Sequence, residues 1–599
     1  MTAFSRGSSG PSPAAYGSDF IVDLMRAFDV EYAACNPGAT FKWLHDSIVN
    51  YANDAQQQMP QMPQMIECTH EEISVALAHG YAKVAGKPMA AIVHNVVGLQ
   101  HATMAIYNAW CDIAPVLVLG GTGPMDLTTR RPNIDWIHTA LVQGNQVRDY
   151  VKWDDQPHTL EGVAESFIRG YRVATTEPQG PVYICYDADL QAQRIETPMT
   201  MPDVERYRTA TPPAIDPESL RLAAQWLVDA QHPVVIADYV GQNETATNAL
   251  VELSEILALP VLDRAGRYNF PSNHPMDLTG AEGELLAEAD LVLALNVKDL
   301  FGTLSARDSV THGSYSRLSD TTRIIQVSLW EQRVRGWTTD IQRIPQVDLN
   351  IPADMAVALP QLVAACREAV GSNGASAQRE QRRARMSERH DQLRNEWQRR
   401  AQETSEQTPV SVPKLAADLW ECVKGEDWAL VGGNLQGWAR RIWDITQPQH
   451  YQGGSGGAGL GYVAGAALGG ALALKGTGKL CLSLQPDGDF MFSPGALWTA
   501  AHHRIPYLTI MFNNRTYFNS EEHAVDVARN RERDVEKRGE GIWISGPDID
   551  YAAMARSMGV YGEGPVDTPE EVIPAVKRAI RVVQEQQLPA LVDVVCQPR

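Results

Sequence analysis

The segment 479–519 holds the residues whose types and spacing best suit chemistry. A strand predicted over 479–484 leads to Pro486, Asp487, Gly488 and Asp489. A helical stretch over 494–503 follows, and a second predicted strand, 507–512, ends in Asn513, Asn514, Arg515 and Thr516. Asp487 and Asn514 therefore stand 27 positions apart at two strand ends. In a doubly wound sheet, ligands sit at the carboxyl ends of the strands. An aspartate carboxylate and an asparagine carbonyl are hard oxygen donors. With a backbone carbonyl they suit Mg2+, which takes few protein ligands and completes its octahedron with water and phosphate oxygens. Gly488 permits close backbone approach, and the amides after it can face a phosphate. Asp-Gly and Asn-Asn are also ordinary turn sequences, so each alone fits a plain turn as well.

Two further turns point the same way. Residues 453–461 read Gly-Gly-Ser-Gly-Gly-Ala-Gly-Leu-Gly and lead into a helix of small residues, so their amides can approach an anion closely. A strand predicted over 428–432 ends in Gly433, Asn434, Leu435, Gln436 and Gly437. Three such turns in one domain favour a diphosphate–Mg2+ site over three unrelated loops.

An Asp-Gly followed by the second Asn of an Asn-Asn pair resembles the signature of the thiamine diphosphate-dependent decarboxylases and acetolactate synthase-like enzymes. The resemblance runs from about Tyr16 to the end of the chain. Residues 496–501 (Ala-Leu-Trp-Thr-Ala-Ala) with Ile505-Pro506 are similar to the benzoylformate decarboxylase branch. That family has Gly before the metal aspartate, whereas this chain has Pro486, which removes no metal ligand. By the resemblance, Asp487 and Asn514 bind Mg2+ through their side chains and Thr516 through its carbonyl. Gly488 and Asp489 lie at the diphosphate, with Asn434, Leu435 and Gln436 near its other side. Leu460, after Gly459, matches the bulky residue that props the cofactor into its bent shape.

In the first third, Thr69, His70, Glu71 and Glu72 open an amphipathic helix that runs to Gly86. Thr69 and Glu72 have the spacing of a capping box. Glu71 suits the helix dipole. The resemblance gives Glu71 a further role: it matches the glutamate that hydrogen-bonds the cofactor's aminopyrimidine ring and promotes formation of the ylid. His94 ends a strand predicted over 89–93 and matches a histidine used in proton transfer at the substrate, although such a place also suits a structural hydrogen-bonder. The family branch carries Ser after Asn-Pro-Gly. Here Asn36-Pro37-Gly38 is followed by Ala39, so that hydroxyl is missing, which argues against benzoylformate itself. Asn95, Gln100, His101 and Asn108 are further candidates on the substrate side.

These residues need strands and crossovers to position them. Short apolar runs are predicted as strands at 89–93, 115–119 and 180–185. A second group lies at 233–237, 259–263, 290–295 and 324–328. A third lies at 428–432, 479–484, 507–512 and 590–595. Runs apolar at successive positions suit parallel strands buried on both faces. The expected architecture is α/β, with three doubly wound parallel-sheet domains. These are a pyrimidine-binding domain (1–195), a central Rossmann-like domain (215–370) and a diphosphate-binding domain (411–599). Residues 371–410 would form a linker with a charged, solvated helix. The central domain lacks Gly-x-Gly-x-x-Gly. Arg264 to Arg267 and Phe270 to Pro275 only faintly resemble the flavin region of acetolactate synthases, so FAD is possible but not expected. Residues 517–545 fit either a lid or a plain exposed loop. As a lid they would bring Glu522 or His523 to the substrate.

Composition bounds the partners. With 51 Lys+Arg against 72 Asp+Glu, the net charge of −21 disfavours nucleic acid and anionic membranes. Eight scattered cysteines, with no Cys-x-x-Cys, point to reduced cytoplasmic thiols and no cysteine-based zinc site. The first 17 residues read as a frayed tail and not a signal peptide, and no stretch reads as membrane-spanning. The resemblance implies a homodimer or homotetramer with shared active sites, acting on a small 2-oxo acid or aldehyde by decarboxylation or carboligation through an enamine. The alternatives are an FAD-containing carboligase, a 2-hydroxyacyl-CoA lyase, or a non-catalytic scaffold.

Overall fold

The computed structural model describes residues 10–53, 61–308, 313–333, 343–371 and 376–597. Three parallel sheets organise them. The first has the order β2-β1-β3-β4-β6-β5. Its strands are β1 (Tyr32–Cys35), β2 (Gln64–Glu67), β3 (Met89–Val93), β4 (Val116–Thr122), β5 (Trp153–Asp155) and β6 (Val182–Asp187). The second has β7 (Pro233–Ala237), β8 (Val261–Asp263), β9 (Leu291–Leu295), β12 (Arg323–Val327) and β13 (Leu349–Ile351), in the order β13-β12-β9-β7-β8. Between β9 and β12 the chain forms a small antiparallel pair, β10 (Ser305–Arg307) and β11 (Ser314–Ser316). The third has β14 (Trp428–Gly432), β15 (Leu480–Pro486), β16 (Leu508–Asn513), β17 (Tyr561–Val566) and β18 (Ala590–Val595), in the order β14-β15-β16-β18-β17. The expected doubly wound α/β class is the one observed.

The strands missing from the sequence reading are mostly edges. β2, β5, β13 and β17 each close one side of a sheet. Edge strands are short and polar and carry Gly or Pro, which weakens their hydrophobic signal. β17 reads Tyr-Gly-Glu-Gly-Pro-Val. The carboxyl ends of several other strands lie one to three residues beyond the expected bounds. β15 thus takes in Gln485 and Pro486, which places Pro486 at the last rung, opposite Phe512.

Helix α1 (Glu71–Ala85) carries the first acidic pair. Its cap corrects the sequence reading: His70, not Thr69, is the N-cap, and its Nδ1 accepts from the Glu72 amide at 3.2 Å. Gly86, at φ 67, ends the helix in the left-handed conformation. Helix α2 (Asn95–Cys111) follows β3. Helix α3 (Ala377–Glu403) is the charged helix, but one face is buried rather than solvated. Its Arg382 donates to the carbonyls of Leu257, Ala258 and Gln231, and Arg394 pairs with Asp444 at 2.8 Å. Helix α4 (Tyr462–Ala473) packs along α1 with small residues at the crossing. A Cβ on Gly80 would lie 2.0 Å from the Ala466 carbonyl oxygen, and one on Gly469 would lie 1.9 Å from that of Leu77. Any side chain there would push the first and third sheets apart. Helix α5 (Phe518–Asn530) follows the expected metal turn.

The three sheets meet at one fully buried carboxylate. Asp112, just past α2, lies 2.7 Å from His79 Nε2, 2.8 Å from Lys83 Nζ and 2.6 Å from Arg267 Nη1. The Tyr239 hydroxyl donates to it at 3.2 Å. Burial alone would raise this carboxyl, but Arg267, Lys83 and His79 together hold it well below the usual range.

The chain start is ordered earlier than expected. From residue 10 it is tied down, with Pro11 bridging Thr200 and Tyr16 bridging Arg194, while residues 1–9 lie outside the described residues. All eight cysteines are buried and free. Among the described residues, no helix is long and apolar enough to cross a membrane.

Candidate active site

The ends of β15 and β16 lie side by side. Asp487, 1 % exposed, follows β15 directly, and its Oδ2 accepts from the Arg515 amide at 2.8 Å. Asn514 Oδ1 accepts from the Thr516 amide at 3.3 Å. Burial pushes Asp487 up to about 7, against backbone hydrogen bonds that pull it down. Asp489 is buried, and both its oxygens are committed. Oδ1 accepts from the Gly461 amide at 2.9 Å, and Oδ2 accepts from Gln485 Nε2 at 2.8 Å and the Val463 amide at 3.3 Å. Asp489 therefore anchors the end of the glycine-rich turn at the start of α4. Gly488 gives way to Tyr517: a Cβ there would lie 2.8 Å from the ring.

A cavity of about 250 Å³ opens beside these turns. Asn434, Leu435, Gln436, Gly459, Leu460 and Asp489 all line it, which gathers most of the expected cofactor residues in one place. Leu435 and Gln436 both have positive φ, 49 and 55. Two successive non-glycine residues in that region are strained, and such strain concentrates at ligand sites. Leu460, 40 % exposed, borders the opening. No Lys or Arg lines the cavity, and neither Asp487 nor Asp489 forms an ion pair with a cationic side chain among the described residues. A buried carboxylate beside an amide carbonyl, with amide-rich turns around a cavity, fits a divalent cation and a diphosphate.

The first-domain candidates form a second cluster. Glu71 is buried, and a Cβ on Gly98 would lie 2.8 Å from its Oε1. Its Oε2 lies 3.4 Å from His101 Nδ1 and has no hydrogen-bond partner. His94 is fixed on both ring nitrogens. Asn95 Oδ1 accepts from the Val97 amide at 3.1 Å, which turns Nδ2 toward His94 Nε2, also at 3.1 Å. Nε2 is then the acceptor and the proton sits on Nδ1, donated to Thr40 Oγ1 at 3.0 Å. Burial lowers the His94 pKa, and His138 adds to this. Thr40 is thus a hydroxyl the sequence reading missed, one position beyond exposed Ala39. The available signal was the hydroxyl immediately after the position that was inspected. Gln100 is exposed on α2, and no described contact joins it to Glu71 or His94.

His70, Glu71 and His101 also lie close enough to suggest a metal centre. The two rings are stacked at 4.9 Å and 9°, and His70 Nδ1 already caps α1. Lone pairs of parallel rings cannot converge on one ion, so this cluster is not read as a metal site.

Neither Glu71 nor His94 lines the diphosphate-side cavity within the chain. Glu72 does reach the junction: a Cβ on Gly461 would lie 2.7 Å from its Oε1. Burial first, and then the charge of Asp489, push Glu72 up to about 7.

In 517–545, Glu522 is half-buried and His523 exposed on α5. The organising residue is Glu521, which the sequence reading passed over. Its Oε2 accepts from the Thr516 hydroxyl at 2.9 Å and Trp543 Nε1 at 3.0 Å, and its Oε1 accepts from Arg538 Nε at 3.1 Å. The charged segment is thereby strapped to the turn that follows β16.

In the central domain, polar groups in the region compared with a flavin site are engaged with one another among the described residues. At the ends of β7 and β8, Asp238 accepts from the Gly266 and Lys298 amides, and Asp263 pairs with Arg440 at 2.7 Å. Arg267 is committed to Asp112. The cavity beside Ile236, Leu262 and Arg264 holds about 50 Å³. Cofactor pockets are typically several hundred Å³.

Fold and site together define an α/β scaffold with an amide-lined cavity at the carboxyl ends of its third sheet. Residues 16–145, 220–362 and 432–594 match, respectively, the N-terminal TPP binding domain, the central domain and the C-terminal TPP binding domain of thiamine pyrophosphate enzymes. The chain belongs to the thiamine pyrophosphate enzyme family. It is 23% identical over 521 residues to acetolactate synthase isozyme 1 large subunit of Escherichia coli, covering 83% of this chain and 81% of that one. It is 23% identical over 524 residues to benzoylformate decarboxylase of Pseudomonas aeruginosa, covering 85% and 88%. An X-ray structure from Mycobacterium smegmatis, assigned to the thiamin diphosphate-dependent enzymes, superposes with a TM-score of 0.74 at 20% identity, covering 98% and 100%. That likeness shows the shared fold.

Proposed function

We propose that this protein is a thiamine diphosphate- and Mg2+-dependent enzyme that cleaves or forms a carbon–carbon bond next to a carbonyl of a small 2-oxo acid or aldehyde. The observation that carries this reading is the meeting of Asp487 and Asn514, at the ends of two paired strands, beside the amide-lined cavity. Asp487 and Asn514 would hold the metal by side chain and Thr516 by its carbonyl. The turns at Asn434–Gln436 and Gly488 would hold the diphosphate, with Leu460 against the body of the cofactor. When bound, the cofactor supplies a carbon nucleophile and an electron sink.

The chain supplies proton handling. Glu71 would share a proton with the cofactor's pyrimidine ring, and its unpartnered Oε2 supports that role. His94, with its proton on Nδ1, is poised to move a proton at the substrate. Asn95 and Thr40 fix its ring. Glu71 and His94 do not line the cavity of their own chain, which supports a homodimer or homotetramer with shared sites. Eight buried free thiols support a cytoplasmic setting.

The test is a panel of 2-oxo acids and aldehydes with mass detection of products, run with cofactor and Mg2+. Turnover of any 2-oxo acid supports the proposal and names the substrate. Protein that binds thiamine diphosphate but shows no C2-proton exchange and no product is a non-catalytic homologue, and the proposal falls.

A further inference from the structure

The glycine-rich turn at 453–461 lines the cavity, yet much of what holds it lies outside its own domain. Gly453, Gly456, Ala458 and Gly461 all have positive φ, at 75, 77, 55 and 89. A turn so rich in glycine has high conformational entropy and needs outside contacts to keep one shape. From the first domain, Asn108 grips Gly459 with both ends of its amide: Oδ1 accepts from the Gly459 amide at 3.1 Å, and Nδ2 donates to the Gly459 carbonyl at 3.3 Å. Lys83 Nζ donates to the Gly454 carbonyl at 2.7 Å.

The central domain closes the clamp. Lys298 Nζ donates to the Gly456 carbonyl at 2.6 Å. A Cβ on Gly453 would lie 2.1 Å from the Gly266 carbonyl oxygen, and one on Gly456 would lie 2.4 Å from the Asp112 amide nitrogen. The turn is therefore wedged between Gly266 and Asp112, which Arg267 joins. Lys298 and Gly456 do not line the cavity, whereas Gly453, Gly454, Ser455, Ala458 and Gly459 do. Lys298 thus acts on the ligand-facing part of the turn from behind.

We propose that Lys298 of the central domain is a positioning residue for the cofactor, holding the 453–461 turn in the shape that receives the diphosphate. This rests on the cofactor reading above, and it gives the central domain a part in holding that turn. Lys298 touches no reacting atom. Its effect is on cofactor affinity, while the rate at saturating cofactor stays the same.

The test uses the full-length protein and the variants Lys298→Met and Lys298→Gln. Affinity for thiamine diphosphate with Mg2+ is read by calorimetry, and amide hydrogen exchange across 453–461 is read without cofactor. Lys298→Met, which loses a charge-assisted hydrogen bond, should weaken binding by about tenfold or more. Exchange should rise in that turn and not in α4. Lys298→Gln keeps an N–H donor and should recover part of the loss. Turnover at saturating cofactor should match the wild type. Binding within about twofold of wild type in both variants, with unchanged exchange, would overturn the proposal. If Lys298→Met does not fold, the Gln variant and the exchange measurement decide alone. If the wild type binds no thiamine diphosphate, the cofactor reading itself fails, a result distinct from loss in the variants only.

Discussion

Replacing Asp112 with Asn removes the carboxylate that faces two buried cations at the three-domain junction. Lys83 Nζ and Arg267 Nη1 sit 2.8 and 2.6 Å from it, with side chains 2 % and 6 % exposed. Asparagine keeps the volume and can still accept one hydrogen bond, but it leaves both cations without a counter-charge. Breaking a buried pair by removing one partner costs about 3–5 kcal/mol. For a domain of this size, about 2–4 °C of midpoint is lost per kcal/mol, so the first thermal transition should fall by roughly 6–20 °C. The pH dependence has a definite sign. The folded carboxyl is held below its unfolded value, so its contribution is fully present above about pH 4 and is lost as pH falls through the folded value. Lys83, which burial pushes down to about 7 against the pull of Asp112, titrates within the working range, so the gap between wild type and variant should be largest near pH 6 and narrow toward pH 8 as Lys83 loses its charge. The assay is calorimetry of the full-length protein at three pH values in that range, with the double variant Asp112→Asn/Arg267→Met alongside. Removing Arg267 as well relieves one stranded cation, so the double variant should recover part of the loss. A fall below about 3 °C, or a double variant that is worse by the full sum of the singles, would refute the idea that these charges are energetically coupled.

Glu71→Gln keeps the fold and cofactor binding but removes the shared proton, so turnover should fall by about 10²–10⁴-fold, measured as C2-proton exchange and product formation. Thr40→Val removes the acceptor for His94 Nδ1–H. The tautomer preference should weaken by about 1–3 kcal/mol, visible by nitrogen NMR of the imidazole together with a lower kcat. Chelating Mg2+ should abolish thiamine diphosphate binding in calorimetry, and Asp487→Ala should do the same without chelator.

What could be read from the sequence followed burial. Fully buried strands such as β3, β7 and β14 are apolar at nearly every position, so they were found with bounds within a residue or two. β1 was the interior exception, because Tyr-Ala-Ala-Cys is small and weakly patterned. The turns at Asp487, Asn514, Asn434 and the glycine run were visible because their residue types are unusual beside apolar strands. Thr40, Glu521 and Lys298 were not visible, since each matters only through a partner distant in sequence or on another element. The cap of α1 was misassigned for a related reason. Thr69 and Glu72 have the right spacing, but Glu72 turns toward Gly461, and His70 supplies the acceptor instead.

The acidic balance of the chain also bears on the metal proposed for this cavity. A diphosphate bound there, as proposed above, would face the buried carboxylate of Asp489, which lines the cavity, with buried Asp487 next to the lining residue Pro486, and Glu72 stands near Asp489. Among the described residues no cationic side chain lines the cavity, and the chain as a whole carries −21. Asp489 is partly neutralised by three N–H donors, and these same bonds fix the glycine turn. Asp487 has one main-chain donor on Oδ2, and burial raises its proton affinity, so it is the carboxylate left to face a cation. Two opposed anions about 4 Å apart repel by roughly 4 kcal/mol at the effective dielectric near a protein surface. Backbone amides, each carrying a partial charge, offset only part of that. A divalent ion held by Asp487 and Asn514, as proposed above, would offset that repulsion, and the aspartate that looks unfavourable for anion binding would become the residue that permits it.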